Sequence, residues 1–564
     1  MPENNTYDAI VVGSGITGGY AAMELTKKGL KVLMLEKGRH VEHKKDYEGE
    51  HQPPWKYKFR DQGDRRLYEK DYAIQRNCYA MKESTQQFFI NDRENPYTTD
   101  ADKPFYWFRG NHLGGRSLMW GRQCYRWSDL DFEANAKDGY GVDWPIRYKD
   151  IEPWYDYVEK FVGVSGQAEG SPVLPDGQFL PPMQMNCVEE HFKSVLAKHY
   201  DDRVMTIGRV AVLTQSHNGR EACHYCGPCE RGCSTGSYFS SQSATLPEAL
   251  ATGNLTIITD SIAEKVLYDE KSRRATGVRV LDAHTTQKTD YKARVIFLCA
   301  STLGTTQLLL NSANQQFPEG LGNSSGVLGK YLMDHTWVFG ASGEIEGFDD
   351  KYHQAHRPNG IYITRFKNVT TTEKNYLRGY AYQGGASRPT WHRGLGTPGI
   401  GADFKNTLRQ PGTWNMGLAG FGEMLPYADN YVTLNQEVKD KWGLPTLKIN
   451  CTFHENERNM MKDMQSSAVE MLEKANAKNI QLMGTPEAHP PGIGIHEMGT
   501  ARMGKDSKTS FLNGNNQSHE IPNLFITDGS CMTSSAVQNP SITYMALTAR
   551  ACDFAVKKLK ENAL

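Results

Sequence analysis

Residues 8 to 36 leave this chain little choice of fold. An apolar run, DAIVV, enters the glycine series Gly13, Gly15 and Gly18; a helical stretch follows, and a second apolar run, VLMLE, ends at Glu36. Each glycine has a job: a tight turn, a close approach of backbone to a pyrophosphate, and close packing of helix on strand. A carboxylate at Glu36 can accept hydrogen bonds from a ribose diol, and its charge repels a 2'-phosphate. Strand, glycine turn, helix, strand and acid in this order predict a Rossmann-like dinucleotide-binding α/β domain with a parallel core sheet.

The second constraint is CHYCGPCERGC, which places Cys223, Cys226, Cys229 and Cys233 within eleven residues. The spacing C-x2-C-x2-C-x3-C matches the run that holds iron–sulfur clusters in bacterial ferredoxins. Structural zinc more often uses two separated C-x2-C pairs, and unmetallated thiols are the plainest alternative. The other seven cysteines are scattered, read as single buried thiols and form no disulfide framework. With 64 basic and 65 acidic side chains the formal charge is -1, which argues against nucleic acid or an acidic membrane surface as partner. No run approaches 18 apolar residues, so no direct membrane insertion is expected, and MPENNTYD does not read as an export signal.

Further along, FRGNHLGGRSLMWGRQ carries the double glycine Gly114 and Gly115, whose amides can reach a phosphate or flavin edge. It is followed by DFEANAKDGYGVDWP, LGKYLMDH, IHEMGTARMG and NLFITDGSCMTSSAVQNPSITYMALTARA. In their order these segments resemble the glucose-methanol-choline oxidoreductases. The resemblance implies an FAD-binding domain assembled from residues 1–150, 220–335 and 490–564, which includes the cysteine loop. It implies a substrate domain over 336–489 with a mixed or antiparallel sheet, and the sequence leaves the placement of the connecting region 151–219 open. Within 336–489, GIYITRF, RGYAYQG and NYVTLNQ alternate as strands do, and HENERNMMKDMQSSAVEMLEKAN reads as an amphipathic helix with methionines in its core face.

The same resemblance assigns catalysis to His496 and Asn539, 43 positions apart, as the family's His-Asn pair. His496 takes the hydroxyl proton while hydride leaves for flavin N5, and Asn539 holds the alcohol oxygen. Pro540 is expected at the first position of a helix whose positive end stabilises charge on the reduced flavin. Asp528 is expected near the FAD ribityl or pyrophosphate. Met119 stands where some members carry a flavin-linking histidine, which implies non-covalent FAD. Ser301 stands where the family often has glycine. His335, in the pair Asp334-His335, is expected to be structural or near the flavin.

Cys223, Cys229 and Cys233 reproduce the C-x5-C-x3-C of gluconate, fructose and glucose dehydrogenase large subunits, and Cys226 resembles the glucoside 3-dehydrogenase branch. This implies a three-iron or four-iron cluster that exports electrons, a small subunit carrying an export signal, a cytochrome c acceptor and a periplasmic location; a cytoplasmic enzyme is the alternative. The implied substrate is a secondary hydroxyl of a sugar or glycoside, the 3-hydroxyl first among them. Trp391, His392, Phe105, Tyr106, Trp107 and Phe108 are candidates for stacking on sugar faces, or for filling cores. The competing reading is an oxygen-using alcohol oxidase with a structural zinc or thiol site.

Overall fold

The computed structural model describes residues 5–352, 356–390, 393–394 and 397–564. Strand Thr6–Val12, helix Ile16–Lys27 and strand Val32–Leu35 form in the predicted order, the two strands parallel with Ala9 opposite Val32 and Val12 opposite Leu35. Gly13 (φ +96°) could carry no side chain, because a Cβ there would lie 2.4 Å from the Cys299 carbonyl oxygen. A Cβ on Gly18 would lie 1.9 Å from the Gly13 oxygen, so this glycine lets the helix close on the turn.

The first sheet runs Leu255–Ile258, Val32–Leu35, Thr6–Val12, Lys288–Leu298, Arg274–Asp282, Ser261–Asp269, with Leu524–Ile526 also beside Lys288–Leu298. Its parallel part is the expected one. It continues into an antiparallel meander over 261–298, which the sequence reading missed. Lys288–Leu298 serves both parts: Lys288 to Lys292 pair with Arg274–Asp282, and Ile296 to Leu298 pair with Leu524–Ile526. Helix Ser541–Lys560 packs across Ile16–Lys27, and both belong to the core that holds the apolar residues of the sheet.

The second sheet is antiparallel throughout: Lys478–Met483, His335–Ile345, Trp414–Glu423, Tyr380–Ser387, Ile361–Ile363, Met205–Ile207. Helix Glu455–Lys474 lies on it and buries Met460, Met461, Met464 and Met471, a core role for these methionines. NYVTLNQ leaves this sheet: Tyr431–Lys439 pairs with Pro445–Asn450, which pairs with Thr98–Thr99. The connecting region divides. Helix Tyr148–Val162 packs on the C-terminal helix, whereas helix Cys187–His199 and Met205–Ile207 join the second sheet. Among the described residues no helix is long and apolar enough to cross a membrane.

Candidate active site

Between the two sheets lies a cavity of about 810 Å³. Its wall includes Gly13, Gly15, Glu36, Gly115, Asp528, His496 and Asn539, contributed by segments far apart in sequence. The first helix begins at this wall. Gly15 precedes it, and the space where a Gly15 Cβ would stand is open. An amino-terminal helix end facing open volume suits a pyrophosphate through its amides and dipole. Glu36 is buried, which pushes its carboxyl above the usual range, and Ser14 and Gly38 counter this. The Ser14 amide (3.1 Å) and hydroxyl donate to Oε2, and the Gly38 amide (2.8 Å) donates to Oε1. Oε2 is filled by its two Ser14 donors, and Oε1 keeps a lone pair for a ribose hydroxyl. Gly114 (φ +86°) donates its amide to Ser14 Oγ at 2.7 Å, and a Gly115 Cβ would stand 3.7 Å from Gly15 Cα. The double glycine therefore crosses the helix start, Gly115 facing the cavity and Gly114 turned against Gln242.

Asp528 accepts from the Ser530 amide (3.0 Å) and from Thr305 Oγ1, which fixes the turn Gly529–Cys531 at the cavity wall. Burial raises its carboxyl pKa. Pro540 caps the last helix rather than opening it. The helix starts at Ser541, and Asn539 and Ser541 face the cavity. The displacement is one residue, the usual slack of a helix end. Met119 lines the cavity and offers no nucleophile to a flavin. Ser301 holds φ +67° and ψ 162°, backbone that favours glycine.

The catalytic candidates meet. Asn539 Nδ2 is 3.5 Å from His496 Nε2, and Asn539 Oδ1 accepts a hydrogen bond from Gln383 Nε2. Burial pushes the His496 imidazole well below its ordinary range, and His335 and Arg116 add to this. Its backbone is gripped by Asp334, whose carboxylate accepts from the amides of Gly492 (2.7 Å), Gly494 (3.0 Å) and His496 (3.0 Å). Between those amides Ile495 is forced to φ +59°, an outlier for a β-branched residue. Arg116 makes a two-pronged pair with Glu497 at 3.0 and 2.8 Å. His335 does more than the sequence promised: its Nδ1 lies 2.8 Å from His496 Nδ1 and its Nε2 lies 3.1 Å from the Ala536 oxygen. Sequence reading missed Gln383 altogether, because nothing in an alternating strand marks one glutamine as special. The adjacency of Asp334 and His335 was the signal for the other two.

The cysteine loop departs from expectation. Cys223, Cys226, Cys229 and Cys233 share one irregular loop with a single turn at Cys229–Arg231, and all four are free thiols. Among the described residues no three His, Cys, Asp or Glu side chains are arranged to hold a metal ion. Burial raises the thiols of Cys223, Cys226 and Cys229, the last to about 11, so these three are neutral at pH 7. Neutral thiols are weak hydrogen-bonders, and nothing draws the sulfurs together. Cys223 accepts instead from the Tyr225 amide, and Cys233 pairs with Thr235 Oγ1. The loop does reach the cavity, through Gly227, Cys229 and Glu230. Of the other cysteines, Cys78, Cys124, Cys299, Cys451, Cys531 and Cys552 are buried and Cys187 is half-buried. Trp107 and Phe108 line the cavity while Phe105 is buried; Trp391 and His392 lie outside the described residues.

The N-terminal model of the GMC oxidoreductases matches residues 7–337 and the C-terminal model matches 426–548. A 2-methyl-1,2-propanediol dehydrogenase of Mycolicibacterium austroafricanum is 29% identical over 98% of this chain and 96% of its own. A fructose dehydrogenase large subunit of Gluconobacter japonicus is 22% identical over 99% of each chain. Among solved structures, pyridoxine 4-oxidase from Mesorbium loti shares the fold at TM-score 0.61 and 15% identity, covering 97% of this chain and 98% of that one.

Proposed function

The chain belongs to the GMC oxidoreductase family, an FAD enzyme acting on CH–OH groups, and on that premise we propose that it is a dehydrogenase of a secondary sugar or glycoside hydroxyl, the 3-hydroxyl first. FAD, held non-covalently, supplies the acceptor for the hydride. The residues that would hold it are Gly13, Gly15 and Gly115 at the helix start, Glu36 at the ribose, and Asp528 with the helix beginning at Ser541 nearer the ring. His496 removes the hydroxyl proton. Asn539, its amide turned by Gln383, donates to the alcohol oxygen and fixes the approach.

One observation carries the reading: an imidazole and an amide 3.5 Å apart on the wall of a cavity that also contains Gly15 and Glu36. The test is anaerobic bleaching of the bound flavin by glycosides and simple polyols. His496→Ala is expected to slow it by about 10² to 10⁴, the usual contribution of a general base. Bleaching at the unsubstituted rate in that variant would remove His496 from the mechanism.

An iron–sulfur centre on Cys223, Cys226, Cys229 and Cys233, of three or four irons, belongs to the same proposal. It is supported by the spacing of the cysteines, by their sharing one loop, and by Arg122 beside Cys229. Arg122 is a buried guanidinium whose Nε and Nη1 have no partner among the described residues, and it offers thiolates a counter-charge. As folded, the thiols do not form a ligand set. Iron and sulfide analysis of anaerobically purified protein decides the matter. Peroxide formed under air, with no acceleration by an artificial acceptor, would instead assign the chain to the oxidases. A small partner subunit, export in its company to the periplasm and a cytochrome c acceptor complete the proposal, supported by the relative whose name calls it a large subunit.

A further inference from the structure

We propose that His335 is a positioning residue that fixes the tautomer of His496, leaving Nε2 as the bare, proton-accepting nitrogen at the cavity. The inference rests on the reading of His496 as the base and adds which atom acts and what selects it.

The argument is a chain of donors and acceptors. The Ala536 carbonyl oxygen can only accept, so His335 Nε2, 3.1 Å away, must carry a proton. His335 is fully buried, and burial pushes its pKa down to about 4, so it is neutral at pH 7 and carries no second proton. Its Nδ1 is therefore a lone pair. Among the described residues, the ring atom hydrogen-bonded to it is His496 Nδ1 at 2.8 Å, which must donate. His496, itself held neutral by burial, has then placed its one proton on Nδ1. Nε2 is left bare, and it is the atom beside Asn539.

The opposite tautomer would set two lone pairs against each other at 2.8 Å. A cationic His335 would reverse the chain, but it would have to charge a ring enclosed by Phe421 and by a second imidazole, with no carboxylate among the described residues hydrogen-bonded to that ring. Asp334, next in the chain, holds the His496 backbone amide while His335 holds the ring. One dipeptide thus fixes both the position and the protonation pattern of the base. When Nε2 takes the substrate proton, Nδ1–H remains donated to His335, so the imidazolium forms with its other proton already bonded.

Two measurements test this on the full chain. Nitrogen-15 spectra of histidine-labelled protein, with His496→Asn used to assign the ring, are expected to show His496 protonated at Nδ1 and bare at Nε2. The reverse pattern overturns the proposal without reference to any substrate. In kinetics, His335→Leu removes the acceptor. It is expected to slow flavin bleaching by about 10² to 10⁴ with KM unchanged, the scale of a lost or wrongly protonated base. His335→Gln can present an amide oxygen to His496 and an amide N–H to Ala536, and is expected to recover to within about tenfold of the unsubstituted rate. Equal losses in both variants at normal FAD content and circular dichroism, or no loss in either, overturn it. Should neither variant fold, the nitrogen-15 spectrum of the unsubstituted protein decides alone. Failure of every alcohol to bleach the unsubstituted enzyme sinks the functional reading and leaves the tautomer result to stand or fall by itself.

Discussion

Ser301 shows how a single position can be read in sequence and explained only in structure. The resemblance leads one to expect glycine there, and the backbone is of the kind that favours it: φ +67° with ψ 162° leads into helix Thr302–Asn311 at the cavity wall. Strain of this kind costs about 1–3 kcal/mol. Ser301→Gly is therefore expected to stabilise the fold by about 1 kcal/mol, read as a shift of the urea midpoint at constant slope. A lower midpoint would mean that the serine hydroxyl contributes more than the strain removes. Sequence also singled out His496, Asn539, Glu36 and Asp528 by their motifs, and all four line the same cavity. It undervalued His335 and passed over Gln383, because their roles depend on which atom faces which across residues 156 and 161 positions apart.

At the level of elements, the second sheet owes its close-set strands to missing side chains. A Cβ on Gly384 would lie 2.0 Å from the Gly417 oxygen of the adjacent strand, and one on Gly360 would lie 1.9 Å from the Gly384 oxygen. Both glycines line the cavity, so its roof is bare backbone at these points. The obstructing atoms are carbonyls that cannot swing aside, so Gly384→Ala is expected to destabilise by about 1–3 kcal/mol or more, as overpacking does. Thermal melting of that variant checks it, and an unchanged Tm would mean that the strands can separate freely. The strand assignments for GIYITRF and RGYAYQG were legible from their alternation. That of NYVTLNQ was legible as a strand but not as a member of another sheet, since alternation fixes the face of a strand and never its neighbour. The cysteine run was equally legible as a motif, yet its spacing says nothing about whether neutral thiols converge before a metal arrives.

For the molecule as a whole, one cavity joins the dinucleotide turn, the catalytic pair and the cysteine loop. Occupancy of so large an internal space should govern stability. FAD added to stripped protein at a hundred times its dissociation constant is expected to add about 2.7 kcal/mol, seen as a rise in Tm that grows with FAD concentration. A Tm indifferent to FAD would show that the cavity is not its site. The parallel part of the first sheet could be foreseen from its unbroken apolar runs. The meander over 261–298 could not, because antiparallel and parallel partners of one strand look alike in sequence.

The double duty of Lys288–Leu298 has a temporal consequence. The last three residues of that strand wait for Leu524–Ile526, and the first helix waits for Ser541–Lys560 to cover it. During synthesis the ribosome makes the glycine turn first and its closing pieces, with Asp528 and Asn539, last. The nascent chain therefore holds an open, apolar half-sheet for most of its translation. Pairings so distant in sequence form slowly and leave such surfaces exposed to aggregation and to chaperones. Flavin loading is then expected to follow synthesis of the segment that carries Asp528 and Asn539.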